Sequence, residues 1–286
     1  MRKKIIKTKS IYLFIFVLLV TSCKSHDAQF YIDRGATYQE KRYLELALED
    51  YTAAIRLEPE NTEWYFYRSS VYFELGRFDL VLEDLNAILK INPKCRHAHL
   101  KRGCVYFEQG KIDLAILEFT SEIKNFPSDN EAYFQRGSVY SNQRKDDLAI
   151  NDLTIAIKND SNDIKSYVNR GGVYFRIGKF YLAIKDFNSA IKINPNDPSL
   201  YTNRGLTYLE MDKKELAMDD YIVAIRIDST YNLAYFNRAK LYEKLIKNDL
   251  AISDYKKAAD FGDKDGSKQL KVVFNIDYLV GKDVKK

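Results

Sequence analysis

The sequence predicts an all-α protein, a solenoid of stacked helix-turn-helix units finished by a short C-terminal capping helix. Three observations carry this expectation. A period of 34 residues runs through the chain, small residues fall at two fixed places in each period, and only 12 Gly and 5 Pro interrupt 286 residues that are 46% hydrophobic. Such a chain has ample apolar material for a core and too few breakers for a sandwich of many short strands.

The first element is a leader. Arg2, Lys3, Lys4, Lys7 and Lys9 precede the uncharged run Ile11 to Val20, and Val20-Thr21-Ser22-Cys23 follows. Ten apolar residues at ~1.5 Å each cover about half of a ~30 Å hydrocarbon core, so residues 1–22 read as a cleaved signal and not as a spanning anchor. Val-Thr-Ser-Cys resembles the lipobox of bacterial lipoproteins. That resemblance implies acylation of Cys23, release of the preceding peptide and attachment to a bilayer, since two or three acyl chains hold a protein firmly where one is marginal. Lys24, in place of the Asp that in some bacteria retains a lipoprotein at the inner membrane, favours the outer membrane. Residues 23–27 then form a short tether.

Removing the leader also removes the chain's net charge. The formal +5 comes from the five leader cations, and without them 40 basic residues face 40 acidic ones. A neutral mature chain lacks the general attraction for phosphate backbones that marks nucleic-acid binders.

Seven units follow over residues 28–265. With Ala28 as position 1, position 7 reads Arg34, Arg68, Arg102, Arg136, Arg170, Arg204 and Arg238 without a gap. Tyr38 through Tyr242 recur at position 11, and Leu46 through Leu250 at position 19. Position 8 is Gly35, Ser69, Gly103, Gly137, Gly171, Gly205 and Ala239, and position 20 is Ala in every unit except for Val81. Small residues at 8 and 20 suit two antiparallel helices where their backbones approach most closely. Positions 4, 8 and 11, and 20, 24 and 27, are helically spaced and predict one apolar stripe per helix. Gly76, Gly110 and Gly178 mark turns between the helices, while Pro59, Pro93, Pro127 and Pro195 stop the second helix of a unit.

Stretches such as YFNRA (235–239) and AIKDFNSAIKINP (183–195) resemble tetratricopeptide repeats, the 34-residue helix-turn-helix family. The resemblance implies a right-handed superhelix whose concave face is built from the first helix of each unit, at positions 2, 5, 6, 9, 12 and 13. Residues 266–286 are expected to supply a capping helix and tail, with Leu270, Val273, Phe274 and Asp277 on alternating faces and Gly262 ending the helix before it. The run Asp263-Lys264-Asp265-Gly266 reads as a turn or N-cap rather than a calcium loop, because the later acidic ligands are missing.

Chemistry finds little purchase. No GxSxG, HExxH or CxxC occurs, and the recurring acids of position 23 (Asp50, Asp84, Glu118, Asp152, Asp186, Asp220, Asp254) obey the repeat instead of breaking it. Their spacing from the position-7 arginines predicts a structural ion pair in each unit or with the unit before. Cys95 and Cys104, ~13 Å apart along one helix, are expected to be free thiols. No enzyme activity, cofactor, metal or small-molecule substrate is expected.

Function is therefore sought on the first-helix face. Repeats that clamp chaperone carboxyl termini carry Lys at 5 and Asn at 9, and neither occurs here. Position 6 instead reads Gln135, Asn169, Asn203 and Asn237 in the last four units. A primary amide offers both a donor and an acceptor to a peptide unit, so a row of them can hold an extended chain without reading its side chains. Asn169, Asn203 and Asn237 resemble the asparagine ladder lining the repeats of the O-linked N-acetylglucosamine transferase. Val168 and Phe236 are expected to bury alternate ligand side chains, and Arg176 and Lys244 to favour acidic ones. The expected role is a lipid-anchored scaffold in a bacterial envelope that binds a peptide of another envelope protein. The alternatives are a structural subunit of an outer-membrane assembly or secretion complex and, less favoured in a chain with no inserted loop, glycan capture.

Overall fold

The computed structural model describes residues 27–278, so Cys23, its leader and the tail from residue 279 lie outside the described residues. Among them are fifteen helices and no strand. The chain divides into two compact units, Met1–Glu118 and Phe119–Lys286. The first holds α1 (Ala28–Glu40), α2 (Leu44–Leu57), α3 (Thr62–Glu74), α4 (Phe78–Ile91) and α5 (Ala98–Glu108), and the division falls inside α6 (Ile112–Asn125). The second holds α7 (Asn130–Asn142), α8 (Asp146–Asn159), α9 (Ile164–Arg176), α10 (Phe180–Ile193), α11 (Pro198–Glu210), α12 (Lys214–Ile227), α13 (Asn232–Lys244), α14 (Asn248–Asp260) and α15 (Lys264–Phe274). No described helix is long and apolar enough to cross a membrane.

Local chemistry sets these boundaries. Asp27, Asn61, Asp129, Asp163 and Asp197 cap first helices by accepting backbone N–H groups two or three residues on, which satisfies donors a helix start leaves orphaned. Each inter-helix turn places position 15 in the left-handed region. Glycine takes it at Gly76, Gly110 and Gly178, whereas Arg42, Arg144, Asp212 and Ile246 hold φ of 57–63°.

Helices pair as the small positions require. A Cβ on Gly171 would lie 2.9 Å from the Phe187 ring, and one on Gly205 would lie 2.8 Å from Tyr221. Tyr51, Leu85, Phe119, Leu153, Tyr221 and Tyr255 of position 24 are accordingly almost wholly buried, with Phe187 close behind.

The stripe on the first helices differs from the predicted one. From the second unit on, position 10 is buried as Val71, Val105, Val139, Val173, Thr207 and Leu241, and position 3 as Trp64, Ala98, Ala132, Ser166, Leu200 and Ala234. The tyrosines of positions 4 and 11 are mostly half-buried, because the position-7 guanidinium lies between them. Arg170 sits 6.0 Å from the Tyr167 ring and 5.8 Å from Tyr174, within cation–π range.

The cap also departs from expectation in detail. Helix α15 begins at Lys264, two residues early, because Asp263 accepts from Asp265 N and Gly266 N as its N-cap. It stops at Phe274, where Asn275 turns left-handed at φ 54°. Asp277 therefore lies beyond the helix and accepts from Lys271 Nζ at 2.7 Å. Leu270 is fully buried and Val273 is partly exposed.

Candidate functional site

The recurring Arg and acid form the framework on which any site is mounted. In six units the guanidinium forks onto the position-23 carboxylate through Nε and Nη2, with distances of 2.5–3.0 Å from Arg34–Asp50 to Arg238–Asp254. Nη1 then reaches back to the preceding unit: Arg68 to Thr52, Arg102 to Asn86, Arg136 to Thr120, Arg170 to Thr154 and Arg204 to Asn188. One side chain thus fastens a helix pair and its neighbour. The bonds to Asp50 and Asp220 raise the pKa of Arg34 and Arg204 above the ordinary guanidinium value. In the third unit the longer Glu118 replaces Asp, and its carboxylate is shared between Arg102 Nη2 at 2.8 Å and His99 Nδ1 at 2.7 Å.

Between α9 and α11 the second unit opens a cavity of about 300 Å³. Val168, Phe175, Phe187 and Leu206 form its apolar walls, and Asn169, Asn203, Ser141 and Arg176 its polar rim. Gly172 lines the opening, and an added Cβ there would meet nothing within 4 Å. A glycine inside a helix is destabilising by about 1 kcal/mol relative to alanine. Gly171 offsets that cost by letting Phe187 approach, but Gly172 has no such contact.

Four of the expected binding residues converge here: Val168, Asn169, Arg176 and Asn203. Asn169 donates to Ser138 Oγ at 2.8 Å, which leaves its carbonyl oxygen for a ligand. Arg176 Nη2 donates to the Asp146 carboxylate and, at 3.3 Å, to Ser141 O and Oγ, so its charge is already offset. The other four lie away from the cavity. Asn237 donates to Leu233 O of its own helix at 2.9 Å, and Gln135 to Glu131 at 2.7 Å. Phe236 packs edge-on against Tyr255, with Lys240 over its ring at 5.6 Å, and Lys244 is exposed in the last turn of α13.

The first unit has a cavity of about 320 Å³ that shares positions 9, 12 and 13 of one repeat and 6 and 9 of the next, through Ser70, Phe73, Glu74, Lys101 and Cys104, with Val81 and Val105 as further apolar walls. Neither Cys95 nor Cys104 is in a disulfide. Sequence reasoning passed over Gly172, although the Gly171-Gly172 pair carried a signal: position 8 accounts for the first glycine and nothing for the second.

Comparison with known proteins agrees with this architecture. Models described as tetratricopeptide repeat match residues 33–94, 100–164, 198–231 and 233–261, and one described as TPR repeat matches residues 173–212. No curated protein matches the chain. Among solved structures, a tetratricopeptide repeat protein from Parabacteroides merdae is 22% identical, covering 85% of this chain and 96% of its own at a TM-score of 0.63. The C-terminal part of a TPR repeat-containing protein from Cytophaga hutchinsonii is 18% identical, with coverage of 84% and 99% and a TM-score of 0.66. YrrB, described as a TPR protein with an unusual peptide-binding site, is 20% identical over 66% of this chain and 97% of its own, at a TM-score of 0.55. From the period of its arginines, the packing of its helix pairs and the models that match it, the chain belongs to the tetratricopeptide repeat family.

Proposed function

We propose that this protein is a lipid-anchored scaffold of a bacterial envelope that binds an extended peptide of another envelope protein along its first helices. The observation that carries this reading is the cavity between α9 and α11, where apolar walls and two side-chain amides stand together. Such a surface is suited to a main chain with an occasional apolar side chain, and it acts by binding rather than by catalysis. Changing Asn169, Asn203 and Asn237 together to Ala is expected to leave helix content intact and weaken the peptide by about 1–3 kcal/mol, since each amide bond nets ~0.5–1.5. Unchanged affinity in calorimetric titration of the triple variant would move the binding surface elsewhere.

Anchoring rests on Cys23 and the leader sequence, with the outer membrane favoured by Lys24. Cys23→Ser is expected to move the protein from the membrane fraction to the soluble envelope fraction with unchanged circular dichroism, because the anchor and the helical array are separate in the chain. A Ser variant still wholly in membranes after a high-salt wash would refute the lipoprotein reading.

One observation favours the second reading, a structural subunit of an outer-membrane assembly. Leu148, Leu182, Leu216 and Leu250 of position 19 are each 41–49% exposed on the second helices. A folded partner gripping that row would survive the triple Asn change.

A further inference from the structure

The cavity at Gly172 has a property that a general peptide groove does not require. Position 9 is Ala36, Ser70, Cys104, Ser138, Leu206 and Lys240 in the other units, so a helix-stabilising side chain is tolerated at this place in the repeat. The fifth unit nevertheless carries glycine with open space where a Cβ would stand. Val168 and Phe175 flank it at one-turn spacing on the same face of α9, with the Phe187 ring and Leu206 completing the walls. Beside them Arg176 lines the cavity with its charge offset by Asp146. Its Nη2 bonds to Asp146 and Ser141 hold the guanidinium in place.

From these observations we infer that Gly172 creates an anchor subsite of the peptide groove. One large apolar side chain of the ligand, aromatic or leucine-like, fills the space above Gly172 between Val168, Phe175, Phe187 and Leu206. A neutral segment fits better than an acidic one, because Asp146 already neutralises Arg176 and would repel a second acid. Asn203 and the free carbonyl oxygen of Asn169 bracket the same stretch of ligand backbone. The inference rests on the peptide-binding reading above and adds which ligand position is specified and by which residue.

The test uses random dodecapeptides displayed on phage and selected on the full chain, with the selected sequences then synthesised and titrated by fluorescence anisotropy. The selected peptides are expected to share one fixed Phe, Leu or Trp. Gly172→Leu, which fills the cavity, is expected to weaken them by about tenfold or more. Exchanging the fixed residue for Ser should weaken binding to the parent protein to a similar degree and have no further effect on the Gly172→Leu variant. Gly172→Ala should raise the melting temperature by about 2–4 °C while also weakening the peptide, a pairing that damage to the fold cannot produce. Peptides that lose affinity for the triple Asn variant but keep it within about threefold for Gly172→Leu would overturn the anchor and leave the groove standing. Peptides indifferent to both variants, or no selected peptides at all, would overturn the groove and the anchor with it.

Discussion

Arg204→Met is expected to lower stability by about 3 kcal/mol or more, the usual result of removing one member of a buried ion pair. Asp220 has a side-chain exposure of 6% and Arg204 of 20%, so the loss leaves a carboxylate that water reaches poorly. The bond from Nη1 to Asn188 disappears as well, uncoupling the sixth unit from the fifth. Chemical denaturation monitored by circular dichroism measures the loss. Adding Asp220→Leu to Arg204→Met should recover most of it, because a packed apolar pair replaces the ionic one without a stranded charge.

The deficit should also depend on pH in a definite direction. Burial already pushes the Asp220 carboxyl above its ordinary range, against the pull of Arg204; without Arg204, burial acts unopposed. A carboxyl whose folded pKa lies above its unfolded value supports the fold fully below the unfolded value and loses that contribution as pH rises through the folded one. The Arg204→Met variant is therefore expected to be closer to the parent at pH 5 than at pH 8. A deficit of equal size at both would mean that Asp220 is reached by water or by another cation.

Gly266→Ala is expected to detach the cap. A Cβ there would stand 2.8 Å from the Tyr255 carbonyl oxygen and 3.0 Å from the Ala259 nitrogen. Both are backbone atoms of α14, which cannot turn aside as a ring can at Gly205. Overpacking of this kind costs about 1–3 kcal/mol, enough to lift α15 off α14 and expose Leu270 and the ring of Phe274, which stands 6.4 Å from Tyr255. Solenoids need an end that solvates their last apolar face, so hydrogen exchange should quicken through α14 and α15 while the protection of α8 and α9 is retained. The same substitution at Gly172, in open space, should slow exchange in α9.

Much of this architecture was legible before any coordinates. The seven arginines at position 7 and the acids sixteen residues later already pointed to an ion pair, within a unit or with the unit before; the structure places it within the unit, where two helices joined by a short turn return the chain to the same height. Small residues at 8 and 20 specified which faces meet, and Asp197-Pro198 specified a helix start. These features are local: each depends on residues within one 34-residue unit and on the fixed rise of a helix. Only the tertiary structure decided which part of each first helix is core. Stacking buries positions 3 and 10, while the guanidinium holds the tyrosines of 4 and 11 at the edge. It likewise decided which amides are available, turning Asn237 back onto Leu233 and setting Asn203 at the cavity rim. The cavity itself combines α9, α10 and α11 with Ser141 of α7, and a sequence period describes each helix alone. Sequence thus determined the repeat and its fastening, since both follow from local spacing. Tertiary packing determined the site, since an empty volume belongs to the atoms of several helices at once.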